Sequence, residues 1–259
     1  MINILKRILF LILIATLTSS FAINSYADCN ENRWYIKRNG NNCPYFPKEA
    51  EEITKYSAYY VDILASNNED PVLYLTFDAG YENGNVERIL DALKEESVPG
   101  AFFVLDNIIL KNTDLVKRMD SEGHLICNHT KNHKNLSCAT EETIAKDLRD
   151  LEDILEANTG IKMAKYFRFP EGKYSINALK AVEKLGYKTI FWSFAYDDWD
   201  NNRQMNSEKA IKKILDNTHN GAVILLHPTS KTNADILPVL IKEWKRMGYR
   251  FGTLEELTN

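Results

Sequence analysis

"YLTFDAGYENG", residues 74–84, carries an apolar, aromatic run into Asp78 and then into a glycine turn that begins at Gly80. With Val72 and Leu73 ahead of it, the run "VLYLTF" reads as a strand buried on both faces, the signature of a parallel sheet. A carboxylate at the tip of such a strand costs desolvation energy unless a partner or a reaction uses it. Ala79, beside it, has no donor atom at all.

From Pro71 onward the same punctuation recurs. Short apolar runs ("VLYLTF", "GAFFVL", "HLICN", "KYFRF", "KTIFWSF", "GAVILL" and a last "YRFGTL") alternate with amphipathic stretches. Those stretches predict helices over Val86 to Glu96, Asp114 to Glu122, Glu141 to Asn158, Ile176 to Leu185, Ser207 to Asn217 and Asp235 to Met247. Strand–helix alternation builds a parallel sheet. Six or seven units between Pro71 and Asn259 suit a doubly wound sheet or an α/β barrel short of eight units. In either, ligands gather at the C-terminal ends of the strands.

That rule selects residues. Asp78 follows "VLYLTF", His129 and His133 follow "HLICN", and Arg168 ends "KYFRF" just before "PEG". Asp197, Asp198 and Trp199 follow "KTIFWSF", and His227 follows "GAVILL". Any one could be a loop or capping residue. Five strands delivering Asp, His, Arg, Asp and His to one end point together to chemistry. His129 and His133 have the i,i+4 spacing that sets two imidazoles on one face of a helical turn, suited to a shared divalent cation. Of the five histidines, His124 opens an apolar strand as a structural residue, and His219 in "NTHNG" is expected at the surface.

The chain of 259 residues, 44% hydrophobic, can bury one sizeable core, and its formal charge of −4 argues against nucleic acid or an anionic membrane surface as partner. At the N-terminus, Lys6 and Arg7 precede an apolar run from Ile8 to about Leu17, and Ser25 and Ala27 have the spacing of a signal-peptidase site. The run is shorter than a membrane-spanning helix needs, so residues 1–27 read as a cleaved signal peptide and the protein as secreted or envelope-bound. Residues 28–70 read as a polar, tyrosine-rich extension with one helical stretch, "KEAEEITKYSAYYVDIL". Residues 71–259 form the main domain. Export makes disulfides chemically possible for Cys29, Cys43, Cys127 and Cys138. Three pairings are open, and the two local links, Cys29 to Cys43 and Cys127 to Cys138, are the simplest.

The ordered series "TFDAGYENG", "NHTKNH", "FRFPEGK", "FWSFAYDDWD" and "VILLH" resembles the five motifs of the polysaccharide deacetylases of carbohydrate esterase family 4, the NodB homology domain. Within that family, "TFDxGYENG", "YFRFPEGKYS" and "LLHxxSKTNA" are most similar to the delta-lactam-forming peptidoglycan N-acetylmuramic acid deacetylases. The resemblance implies a distorted (β/α) barrel with fewer than eight units and hydrolysis of an N-acetyl amide on peptidoglycan. The substrate it implies is N-acetylmuramic acid without its stem peptide, in spore cortex, where the product leads to muramic delta-lactam. It casts Asp78 as general base, His227 as general acid and Arg168 as the residue that orients Asp78, with Asp198 as the carboxylate partner of Arg168. His129 and His133 would hold a divalent metal, zinc by expectation, and Gly80, Tyr81, Pro170 and Trp199 would contact substrate. Most of the family carries a second aspartate where this chain has Ala79, so the implied metal site is weakened. The glycan strand is the expected partner, with no protein partner evident, and a monomer is expected. Two other readings stand beside this one: a glycan-binding protein on an inactive deacetylase scaffold, and a barrel glycosidase using Asp78 and Asp198 as its carboxylate pair.

Overall fold

The computed structural model describes residues 29–66 and 70–259, so the expected signal peptide lies outside the described residues. The strands run, in chain order, β1 (Asn32–Arg33), β2 (Lys37–Asn39), β3 (Asn42–Tyr45), β4 (Ala58–Tyr59), β5 (Val72–Ala79), β6 (Ala101–Val104), β7 (Leu125–Asn128), β8 (Ala164–Phe167), β9 (Lys173–Tyr174), β10 (Lys188–Ile190), β11 (Ala222–Leu226) and β12 (Arg250–Phe251). The main sheet has the order β11-β5-β6-β7-β8-β10-β4, with β12 also beside β5, and its pairings are parallel. Beyond β10 the chain curls back onto β11. Ser193 and Phe194 donate to the Val223 carbonyl at 2.9 and 3.1 Å, and Leu225 donates to the Phe194 carbonyl at 2.9 Å. A sheet whose far edge returns to its first strand is a distorted barrel, as the alternation predicts.

The two-residue period of β5 explains where Asp78 points. Leu73, Leu75, Phe77 and Ala79 pack outward with the helix residues Ile89, Leu90, Leu93, Ile214, Leu237 and Trp244. Val72 and Tyr74 pack inward with Ala101, Phe103, Cys127, Ile190 and Val223. Thr76 and Asp78 continue the inward series, so Asp78 is the last inward residue of its strand, at the C-terminal mouth. Ala79 is fully buried on the opposite face. On the outer face Phe77 stacks on Phe102 with centroids 4.8 Å apart, worth roughly 0.5–1.5 kcal/mol beyond area burial.

Most predicted helices form within a residue or two of their expected ends, over Val86–Glu96, Thr113–Ser121, Glu141–Thr159, Ile176–Lys184 and Ser207–Leu215. The last one starts earlier, at Lys231, because the Ser230 hydroxyl accepts from the Asn233 N–H and caps it. A helix over Asp106–Lys111 was not foreseen. The single helical stretch expected in the extension is instead broken. Ala50–Ile53 is helical, Thr54–Tyr56 is a 3₁₀ turn, and Ser57 in the left-handed region (φ 50°) turns the chain into β4. The extension therefore supplies an edge strand of the main sheet.

It is tied down at three further points. β1 pairs antiparallel with β9. Trp34 lies buried against Tyr60 and Phe191, each 4.8 Å away between centroids, and its indole N–H donates to the Trp192 carbonyl at 2.8 Å. Cys29 is disulfide-bonded to Cys138, while Cys43 and Cys127 are free thiols, so neither of the two local links forms. The close approach of Trp34 requires Gly172. Its φ is +65°, and a Cβ there would lie 2.8 Å from the Trp192 ring and 3.0 Å from Trp34 Cβ.

Candidate active site

A cleft of about 700 Å³ opens at the C-terminal ends of the strands, lined by Asp78, Gly80, Tyr81, His129, His133, Trp199 and His227 among others. Its floor is an ion pair. Arg168, fully buried, donates from Nη1 to Asp78 Oδ1 at 2.8 Å, from Nη2 to Thr76 Oγ1 at 2.9 Å and from Nε to the Ile190 carbonyl at 3.0 Å. Its guanidinium also sits 4.1 Å over the Phe103 ring. Burial by itself would raise the Asp78 pKa, but His129, Arg168 and His227 outweigh it and hold the carboxyl below its ordinary value. Burial also takes His129 down to about 4, so at neutral pH that ring is uncharged and Arg168 is the lasting cation beside Asp78.

The tautomer of His129 follows from its neighbours. Nδ1 lies 2.9 Å from the Arg168 carbonyl, which can only accept, so Nδ1 carries the proton. The Nε2 lone pair then faces Asp78 Oδ2 at 3.4 Å. Two acceptors facing each other call for a donor between them, a role a water molecule can fill. His133 stands exposed with its ring 5.0 Å from that of His129. The helical turn expected for this pair is absent. Thr130 and His133 have φ of +68° and +60°, and the loop is held by Thr130 N–H to Asn128 Oδ1 at 2.9 Å and Lys134 N–H to Thr130 Oγ1 at 3.0 Å.

The second charged group is a dyad. Asp198 Oδ1 lies 2.8 Å from His227 Nδ1, and its Oδ2 accepts from the His227 backbone N–H at 2.8 Å and from Asn233 Nδ2 at 2.6 Å. This corrects the partner expected for Asp198: it serves His227 and not Arg168, which pairs with Asp78. Burial, the largest single influence, would lower the His227 pKa, but the charge and hydrogen bond of Asp198, with Asp78 behind them, together outweigh burial and raise it. Nε2 remains free toward the cleft.

Among the expected substrate contacts, Trp199 is 65% exposed on the rim, Gly80 lines the wall, and the Tyr81 hydroxyl accepts from Asn201 Nδ2 at 2.6 Å. Pro170 is a correction. It is buried outside the cleft lining, where it starts the short turn Pro170–Gly172 that presents Glu171. Asp197 is exposed and outside the lining. His124 is buried and accepts from the Gly100 N–H at 3.2 Å, as a structural residue should. His219, expected at the surface, is buried with Nε2 2.9 Å from Ser193 Oγ, so it too is structural. Thr76, Asn233, Arg33 and Glu171 were not singled out in the sequence. Thr76, Glu171 and Asn233 fall within the quoted motifs without a role of their own there, and Arg33 had no signal.

Does the donor set fit a resident metal? His129 is oriented as a metal ligand is, with its second nitrogen on a carbonyl. Ala79 offers no donor and faces the outer core, and among the described residues no three His, Cys, Asp or Glu side chains form a group that could hold a metal ion. Among the described residues a full protein ligand set is not present.

The family model for polysaccharide deacetylase matches residues 65–190. Peptidoglycan-N-acetylmuramic acid deacetylase PdaA of Bacillus subtilis is 36% identical over 248 residues, 94% of this chain and 92% of that protein. The chain belongs to the polysaccharide deacetylase family. The solved structure of the Bacillus subtilis PdaA, a family 4 carbohydrate esterase, superposes with a TM-score of 0.83 at 35% identity, over 89% of this chain and 98% of that one. A peptidoglycan-N-acetylglucosamine deacetylase of Bacillus cereus is 32% identical over 203 residues, 76% of this chain and 92% of that protein. The deacetylase scaffold thus accompanies both amino sugars of peptidoglycan among its relatives, and specificity has to be sought in the cleft.

Proposed function

We propose that this protein hydrolyses the N-acetyl group of N-acetylmuramic acid in peptidoglycan. The observation that carries the reading is the pair of opposed charges in one cleft, an ionised Asp78 held by Arg168 and a protonation-ready His227 held by Asp198. A water beside Asp78 Oδ2 gives up a proton to that carboxylate as its oxygen bonds to the acetyl carbon. The C–N bond then breaks while His227 Nε2–H protonates the departing nitrogen. Acetate and a free amine leave, and solvent returns the proton from Asp78 to His227. The glycosidase reading loses support because Asp198, the carboxylate it would pair with Asp78, is fully engaged by His227 and Asn233.

Similarity to a muramic-acid deacetylase supports the sugar assignment. We extend it to glycan whose stem peptide has been removed, so that the freed amine can condense with the lactyl carboxyl, losing water, to give the delta-lactam of spore cortex. An exported setting is supported by the Cys29–Cys138 disulfide, a bond that persists in oxidising compartments. Acetate release from peptidoglycan treated with a stem-removing amidase tests the activity. Release from untreated but not from treated glycan would overturn the substrate.

The pH profile should be a plateau with unequal limbs. The base is available above the depressed Asp78 pKa, below 3.8, and the acid is lost only as pH rises through a His227 pKa lifted above 6.5. Asp198→Asn removes the main cause of that lift and leaves burial. The alkaline limb of kcat/KM should therefore move to lower pH, and an unmoved limb would deny the dyad its role.

Any zinc bound here would rest on His129 and His133, and two imidazoles bind more weakly than three protein ligands. Calorimetry should find weak zinc binding in the wild type and about tenfold less in His133→Ala. Binding that survives both His129→Ala and His133→Ala would place the ion elsewhere.

A further inference from the structure

The extension brings one more charged group to the cleft. Among the described residues that line it, Arg33, on β1, is the fixed cation, with Arg168 buried beneath Asp78; the carboxylates there are Asp78 and Glu171. A substrate with its own carboxylate enters against that negative charge unless a cation meets it. Arg33 is placed to do so and is hardly committed elsewhere. Its contact with Glu171 is loose, 3.6 Å between side chains 68% and 45% exposed, and Glu171 is held more closely by Lys173 at 2.9 Å. Such an exposed pair contributes little and is easily exchanged.

Its position, in contrast, is built. β1 is locked to β9, Trp34 donates its backbone N–H to the Gly172 carbonyl at 2.8 Å, and the next turn back is closed by the Cys29–Cys138 disulfide. Glu31, the other nearby carboxylate, is occupied by Ser137 Oγ and Asn135 Nδ2. Opposite Arg33, Glu171 is presented by a turn in the left-handed region (φ 55°). The β1–β9 ladder and the disulfide therefore fix the backbone of Arg33 beside the cleft that its side chain lines.

We propose that Arg33 is the specificity residue that recognises a free carboxylate on the sugar whose N-acetyl group enters the cleft. This rests on the deacetylase reading above and adds the feature that separates a carboxylated amino sugar from a neutral one. A carboxylate consumed in an amide to a peptide could not make the charged, two-pronged contact that a guanidinium offers.

The test compares one muramic-acid glycan in two forms, lactyl carboxylate free and lactyl carboxylate converted to the methylamide. Wild type should prefer the free acid by about tenfold in kcat/KM, chiefly through KM, and less at high salt. Arg33→Met should abolish that preference with less than a twofold change on the methylamide, Arg33→Lys should keep part of it, and Glu171→Gln should keep or increase it. Equal losses on both forms would make Arg33 merely structural, and an unchanged preference would remove it from recognition. If wild type releases acetate from neither form, the deacetylase reading fails. Calorimetric binding of the free-acid glycan then still decides the matter: about tenfold weaker binding to Arg33→Met upholds the contact, and equal binding refutes it.

Discussion

Asp78→Asn should lower acetate release by roughly 10²- to 10⁴-fold in a protein that still folds, with a lower melting temperature because the buried Arg168 cation loses its counter-charge. Asparagine keeps an oxygen for Arg168 Nη1 but cannot take the proton of water. His227→Ala should cost a similar factor, because the nitrogen of an amide leaves poorly unless it is protonated as the bond breaks. The two losses should not add in the double variant, since base and acid act as a unit on one amide hydrolysis. Circular dichroism and acetate assay on the same preparations check this. Wild-type turnover in either single variant would strip that residue of its role.

Arg168→Met should damage both stability and chemistry. The guanidinium is fully buried and satisfies Asp78, Thr76 and the Ile190 carbonyl together. Removing it leaves a nearly buried carboxylate without its partner, at a cost of roughly 3–5 kcal/mol. For a chain of this size that is a fall on the order of 10 °C in melting temperature. The surviving protein should show the acid limb of its pH profile shifted upward, because burial of Asp78 is then opposed by less positive charge. Arg168→Lys should not rescue it, since one ammonium cannot reach all three acceptors in the planar fork. Unchanged melting together with an unshifted acid limb would contradict the pairing.

The sheet was legible because its strands are short apolar runs separated by periodic amphipathic stretches, a pattern that reflects local burial. The strand-end rule then located Asp78, His129, Arg168, Asp198 and His227 without any contact information. What stayed hidden was long-range. Cys29 and Cys138 are 109 residues apart, and nothing local distinguishes that pairing from the nearer ones. Asp198 meets His227 rather than Arg168 because strand-end placement says which residues meet at the mouth, not which faces they present. His219 lies in a polar turn by composition but is buried by Ser193 from another segment. β4 sits inside what reads as a helix, and only the left-handed Ser57 and the β10 edge waiting beside it turn the chain into a strand. Arg33 was invisible for the same reason: its part in the cleft depends on β1 finding β9.

In the proposed reaction Asp78 and His227 together remove acetyl groups from muramic acid residues. It is tested most directly by mass spectrometry of amidase-treated peptidoglycan after incubation with wild type and with Asp78→Asn. Glycan fragments should be deacetylated on muramic acid and not on glucosamine with the wild type, and unmodified with Asp78→Asn. Deacetylation confined to glucosamine, no deacetylation by the wild type, or equal deacetylation by Asp78→Asn would contradict it.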